Sequence, residues 1–440
     1  MMTPGYGSLP GVFTSPGIMG AMADSSRALS DTPGALWHGF ADMGAVTASG
    51  PFVVTKGEGT RIWDRDGKSY LDATAGLWFT NVGHGRTEIA DAVARQLGTI
   101  AHYSNFGDIA SDVTLQLADE LAAIAPVPGS KIFFTSGGSD SIDTAVKLAR
   151  RYWVEQGKPG KRVVVSRTKA YHGMHVAGTS LAGIPLNHDG YGELMHDVQN
   201  VDWDDAKSLL GLIERVGADN IAAFFCEPII GAGGIYLPPA GYLDEVRAIC
   251  RDHDVLFVVD EVVTGFGRIG GDSWFASARF DLQPDMITTA KGLTSGYVPM
   301  GAVFIAPRVA EPFFAGGVWW RHGYTYGGHA AAAAAALANL EIIRRENLLA
   351  EATRLEGDLA TALSPLADLD SVAEVRTGLG AVTAVQLADP ASAPAAVVKL
   401  REHGVSTRAA GQGALQISPA FVMTTEEVGE LADRMRAALS

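Results

Sequence analysis

The sequence predicts an α/β protein, a largely parallel sheet with helices packed on both faces. Two observations carry that reading. Short, near-continuous apolar runs recur between residues 131 and 305, as expected of strands buried on both sides. Segments of helical period lie between them. A third observation locates the function: the residues best suited to chemistry fall just after those runs, and sheets of this kind bind ligands at the carboxyl ends of their strands.

The elements follow in chain order. The first 26 residues hold no Lys or Arg and are rich in Gly, Ser, Pro and Met. A secretory leader needs a basic start, so residues 1–30 are expected to form a flexible tail. Residues 51–72 alternate apolar and polar around Asp64-Arg65-Asp66-Gly67, a turn signal between two strands. Helical patterns cover about 87–99 and 111–125. Strands are expected at Lys131–Phe134, Arg162–Ser166, Ile221–Cys226, Val255–Asp260, Met286–Thr289 and Gly301–Ile305. Helices are expected at about 139–156, 203–216, 241–253 and 329–345. The run Ala330–Ala336 reads as a closely packed helix, because Leu337, Leu340 and Ile343 continue at helical spacing. The expected organisation is a tail (1–30), the N-terminal part of a small domain (31–80), a large ligand-binding domain (81–345) and a C-terminal small domain (346–440).

The net charge of -15 repels phosphate backbones, so a nucleic-acid partner is not expected. No apolar run is long enough to span a bilayer. Cys226 and Cys250 sit in apolar patterns and read as buried thiols in a reducing compartment, which points to the cytoplasm. No metal site is expected.

The chemistry concentrates on Lys291 and Asp260. Asp260 closes the apolar run Val255–Asp260, and Lys291 stands 31 positions later in a Gly-rich loop, just after the next strand. A lysine can form a Schiff base with an aldehyde, and a buried acid can hold a proton on a heteroaromatic nitrogen. Pyridoxal 5′-phosphate (PLP) needs both. Ser136-Gly137-Gly138-Ser139 leads from a strand into a helix. Its glycines let backbone N–H groups approach an anion, the helix N-terminus adds partial positive charge, and the two serines add hydroxyls. The alternative is a plain strand-to-helix turn with Ser or Asp as cap. Tyr171, in Tyr171-His172-Gly173 after another strand, can stack on a flat ring.

Taken together, these segments resemble the class III, fold type I PLP-dependent aminotransferases over about residues 35–440. Further points of likeness are Trp63–Asp72, Glu227-Pro228, Asp260–Arg268 and Gly323–His329. The resemblance implies a mostly parallel seven-stranded sheet in the large domain and a smaller α+β domain from both chain ends. It implies that Lys291 holds PLP and moves the substrate proton, and that Asp260 keeps the pyridine nitrogen protonated. Val262 and Tyr171 would cover the two ring faces. Ser136, Gly137, Gly138 and Ser139 would bind the phosphate, His172 would line the cofactor site, and Glu227 would orient the cofactor acid. Thr325 would reach the phosphate of a neighbouring subunit, making the expected assembly a homodimer with shared active sites, or a tetramer. Two departures are mild: Asp140-Ser141 stands where many relatives have Glu-Ala, and His329-Ala330 where they have His-Pro.

For the substrate, the resemblance implies an amine and a keto acid, exchanged by a ping-pong mechanism through pyridoxamine phosphate. Ornithine and 4-aminobutyrate enzymes carry a second glutamate where this chain has Ala232. Arg408 matches the arginine that binds the carboxylate in ω-amino acid:pyruvate enzymes, and a guanidinium fork suits that group. Leu77, Trp78 and Phe79, with Phe106, would wall an apolar pocket. The expected activity is an ω-amine:pyruvate transaminase. An aminomutase, a decarboxylase, or a catalytically silent protein of the same fold are the alternatives.

Overall fold

The computed structural model describes residues 35–440, so the tail expected at 1–30 lies outside the described residues. The described residues fall into two units, 35–54 and 55–440. The described part of the first unit holds a helix, Met43–Ser49, that buries none of its residues. Asp42 caps it by accepting the N–H groups of Gly44 and Ala45 at 2.8 and 3.2 Å.

Three sheets account for the strands. The first strands are β1 (Val54–Glu58), β2 (Arg61–Asp64) and β3 (Ser69–Asp72). The central ones are β4 (Lys131–Thr135), β5 (Val163–Arg167), β6 (Val198–Val201), β7 (Ile221–Cys226), β8 (Leu256–Asp260), β9 (Met286–Thr289) and β10 (Gly301–Ile305). The last are β11 (Val372–Arg376), β12 (Thr383–Leu387), β13 (Val405–Ser406), β14 (Ala409–Ala410) and β15 (Ala414–Ile417). β4 to β10 form a seven-stranded sheet in the order β4-β10-β9-β8-β7-β5-β6. Every pair in it is parallel except those made by β10, which runs antiparallel to both β4 and β9. The mostly parallel seven-stranded sheet implied by the resemblance is therefore present. β13 completes a sheet with β1–β3, and β11, β12, β15 and β14 form the third.

The central strands are apolar throughout because both faces are covered. Every residue of β7 and β8 is buried. Ala223, Phe225, Leu256 and Val258 pack with the helix Gly138–Glu155, through Ile142, Val146, Ala149 and Trp153. The alternate residues Phe224, Cys226, Phe257 and Val259 pack with the helices Ala206–Val216 and Tyr242–Asp252. Such alternation is what the period-2 geometry of a strand imposes, and each large side chain buried contributes about 1.5–3 kcal/mol. Cys226 and Cys250 are both buried free thiols, and burial raises Cys226 to about 11.

Ala330–Arg345 is one helix, with six of the seven alanines buried. The helix expected from 203 starts instead at Ala206, because Asp205 accepts the N–H of Lys207 at 2.9 Å and fixes the cap there. β6, the helix Val176–Leu181 and the helix Pro307–Phe314 are additional to the sequence reading. No helix among the described residues is long and apolar enough to cross a membrane.

Candidate active site

Asp260 ends β8 with only 6% of its surface exposed. One carboxylate oxygen accepts the N–H of Val262 at 3.0 Å, and the other meets His172 Nδ1 at 2.8 Å. A neutral His172 therefore carries its proton on Nδ1, because that nitrogen faces a carboxylate. Among the described residues, its buried Nε2 has no partner. Glu227, just past β7, accepts the N–H groups of Tyr171 and Gly231, each at 2.9 Å. It thus ties the loop bearing Tyr171 and His172 to its own. Burial drives its carboxyl upward, while the charge of His172 and these amides oppose that.

Lys291 follows β9 by two residues, in the left-handed region at φ 41°. A residue bearing a Cβ stores strain there, a feature that clusters at functional sites. Among the described residues its ammonium has no hydrogen bond or ion pair, and it lies 5.8 Å from the Trp78 ring centre. Burial pulls it down to about 8, against the attraction of Asp260 and Glu227 and with the help of Arg408. The ordinary value is 10.5, so between the two pH values the unfolded, cofactor-free chain binds more protons than the folded one. Stability of cofactor-free protein is then expected to rise with pH from about 8 to about 10.5, and the Lys291→Met variant should lose that slope. Denaturant unfolding across this range checks it. A wild-type curve parallel to the variant's would refute the depressed amine.

β4 delivers the glycine loop. Gly137 is the helix cap in an extended conformation with no side-chain cap bond, so the plain Ser or Asp cap is not what the loop uses. The Asp140 carboxylate instead turns back to accept the Ser136 N–H at 3.0 Å. Ser139 Oγ accepts the N–H of Met174 at 3.1 Å, which leaves its own proton free to donate. A Cβ added to Gly138 would sit 3.0 Å from Val262 Cγ1, and one added to Gly173 would sit 2.5 Å from Ser139 Oγ. The loops after β4, β5 and β8 close on one another here, and only glycine permits it.

The wall is built from Ala75–Phe79. Trp78 is buried with φ 62°, Leu77 is exposed, and the Phe79 ring fills the space a Cβ on Gly76 or on Gly296 would need. The Arg408 guanidinium lies over the Trp78 ring, 4.5 Å from its centre. Its Nε donates to Gln416 Oε1 at 2.8 Å. The carbonyl of Ala232 accepts the N–H of Gly411 at 3.0 Å, bringing that residue beside the Arg408 hairpin. Thus Lys291, Asp260, His172, Tyr171, Glu227, Val262, the glycine loop, Trp78 and Arg408 converge. Phe106 and Thr325 belong to a separate exposed cluster: Phe106 packs on Gly323, and the Thr325 carbonyl meets His102 Nε2 at 2.9 Å.

Sequence reasoning passed over Glu261. It is fully buried and accepts Thr264 Oγ1, Ala276 N, Ser277 N and Ser277 Oγ at 2.7–2.9 Å. The signal was an ionisable residue directly after Asp260 in an apolar run. Glu261→Ala strands two buried amides, so unfolding stability should fall by about 3 kcal/mol or more in a denaturant titration. A loss under about 1 kcal/mol would remove its role as a staple.

Known proteins are similar to this chain in sequence and fold. The family model described as aminotransferase class-III matches residues 44–439. A putrescine–pyruvate aminotransferase of Pseudomonas aeruginosa is 37% identical over 91% of this chain and 93% of its own length. A β-alanine–pyruvate aminotransferase of the same organism is 37% identical over 89% and 92%. Among solved structures, an amine transaminase from an uncultivated Pseudomonas species in its PLP-bound form superposes with a TM-score of 0.88 at 33% identity, covering 93% of this chain and 99% of that one. A transaminase from the marine bacterium Virgibacillus gives 0.89 at 36%, covering 92% and 96%. With family model, fold and relatives in agreement, the chain belongs to the class III aminotransferases, enzymes that use PLP to move an amino group from an amine to a keto acid.

Proposed function

We propose that this aminotransferase takes the amino group of an ω-amino acid or apolar primary amine and delivers it to pyruvate, working as a homodimer in the cytoplasm. The observation that carries the reading is the stack of Arg408 on Trp78 beside the Lys291 amine: a carboxylate-binding fork lies directly on an apolar wall. Pyruvate is the acceptor in the names of the two relatives above.

The cleft fits PLP. Its floor is Val262 against Gly138, an acid stands at one end and an unpaired lysine nearby. PLP, when bound, supplies an aldehyde for the amine and a ring that takes up the electrons released at the substrate carbon. Lys291 offers the amine that anchors it and, once free, carries the proton to and from the substrate carbon. Its lowered basicity keeps part of it unprotonated near neutral pH. Asp260, held by His172 and the Val262 N–H, would accept the ring N–H of the cofactor. Gly138 and Ser139 present amides and a hydroxyl at a helix N-terminus to the phosphate. Tyr171 and Val262 would flank the ring, and Glu227 steadies the loop that bears Tyr171. In the proposed dimer the exposed Thr325 would reach the partner subunit's phosphate, and Phe106 would close the pocket from that side. Among the described residues no carboxylate pairs with Arg408, whose hairpin lies beside Ala232.

The test is a visible spectrum of PLP-loaded enzyme with a panel of amines, then pyruvate. The band should bleach with particular amines and return with pyruvate. A band that no amine shifts would favour an aminomutase or decarboxylase. Arg408→Ala should raise the KM for pyruvate by about 10- to 100-fold, the size of a lost charged hydrogen bond, and that for an apolar amine far less. Equal effects on both would dismiss the two-faced pocket.

A further inference from the structure

We propose that Asp72 and His84 form a positioning pair that holds the Trp78 wall beneath Arg408 and so sets how the enzyme divides its preference between carboxylate and apolar substrates. The inference rests on the transaminase reading of the same site. Neither residue reaches the reacting atoms; both act through backbone.

The wall needs holding. Ala75, Gly76 and Trp78 have positive φ values of 46°, 68° and 62°, with Leu77 at −151° between them, and at Ala75 and Trp78 this is a region that side-chain-bearing residues avoid unless something imposes it. Asp72 imposes it. One of its oxygens accepts the Gly76 N–H at 2.7 Å and meets His84 Nε2 at 2.9 Å. The other accepts the N–H and the hydroxyl of Thr74 at 3.1 and 2.9 Å. Burial pushes the Asp72 carboxyl up, yet the His84 and backbone bonds outweigh this and keep it ionised. His84 is itself fixed: it exchanges both backbone hydrogen bonds with Gly59, at 3.0 and 2.9 Å. Its ring lies so close to Gly57 that a Cβ there would be 2.8 Å away.

The same point of the chain anchors the opposite side of the pocket. β3 pairs in parallel with β13, Asp72 facing Ser406, two residues before Arg408. Ala73 donates to the Ser406 carbonyl at 3.0 Å and accepts from the Ser418 N–H at 2.6 Å. Ser418 Oγ in turn accepts from Gln416, the residue that receives Arg408 Nε. Arg408 therefore keeps its own tether to Gln416 if the wall loosens, whereas Trp78 depends on the turn that Asp72 closes. Loosening the pair should harm apolar substrates more than carboxylates.

The experiment uses PLP-loaded His84→Phe, which keeps a flat ring and removes the hydrogen bond, His84→Gln, which restores a donor, and Asp72→Asn. The probes are 1-phenylethylamine and pyruvate, with thermal unfolding recorded for each protein. In His84→Phe the KM for 1-phenylethylamine should rise about tenfold with kcat nearly unchanged, while the KM for pyruvate moves by less than about threefold. Asp72→Asn should shift the same ratio the same way, and His84→Gln should recover most of it. An unchanged ratio, parallel loss on both substrates, or failure of His84→Gln to recover would overturn the pair. So would failure of all three variants to fold, since the pair would then be a folding staple. If wild-type enzyme does not pass an amino group from 1-phenylethylamine to pyruvate, the substrate assignment itself fails and the proposal falls with it.

Discussion

Replacing Lys291 with alanine should lower transamination by about 10⁴-fold or more, since on the proposed reading one side chain supplies both the amine that anchors PLP and the proton carrier. The visible band of lysine-bound cofactor should vanish with it. The fold should survive: alanine inherits the left-handed backbone at no greater strain, and the cost of burying an ammonium disappears. Cofactor-free Lys291→Ala should therefore unfold at least as late as cofactor-free wild type. Steady-state rates, an absorbance spectrum and a thermal melt together decide it. Residual turnover above about 1% of wild type would move the proton transfer to another group.

Asp260→Asn is the second large effect expected. The substitution keeps shape and removes charge. With no anion to hold the ring proton, kcat should drop about 10²–10³-fold, the range seen when a preorganised electrostatic contact is lost. Cofactor should still bind, because the lysine, the glycine loop and the flanking side chains are untouched. The contrast between a retained band and a lost kcat separates this role from that of Lys291. His172 meets the same carboxylate at 2.8 Å, so an asparagine that keeps its oxygen on the Val262 N–H turns its NH2 toward His172 Nδ1, which must then become the acceptor. An Asp260→Asn enzyme within a few-fold of wild type would show that the ring proton needs no counter-charge here.

Much of this was legible in the residues. β7 and β8 are continuous apolar runs because both their faces are covered, and that burial is written into Ile221–Cys226 and Val255–Asp260. Asp260 was conspicuous as a charge closing such a run, and Lys291 as a charge following the next strand. β6, Val198-Gln199-Asn200-Val201, was not legible: it is short, polar and at the sheet edge, where only one neighbour holds it. Nor was the direction of β10, since a buried antiparallel strand and a parallel one carry the same apolar string. Glu261 and the Asp72–His84 pair were hidden for a different reason. Their meaning lies in which backbone amides they meet, and those amides come from distant or unusually twisted segments that no spacing rule reveals.

The reversed direction of β10 also shapes how Lys291 works. β9 runs to one edge of the sheet and β10 starts back from it, so the lysine loop leaves and re-enters at the same edge, clamped between adjacent strands. Asn339 pins its first turn by donating to the carbonyls of Gly292 and Leu293 at 2.8 and 3.0 Å, and the Thr294 hydroxyl closes the rest onto Val298 at 2.6 Å. With its main chain tethered in this way, Lys291 would respond to release from the proposed cofactor by turning its side chain alone. A tethered amine of this kind would keep an effective local concentration of the order of 10⁵ M, so its return would be a rotation about single bonds rather than an encounter.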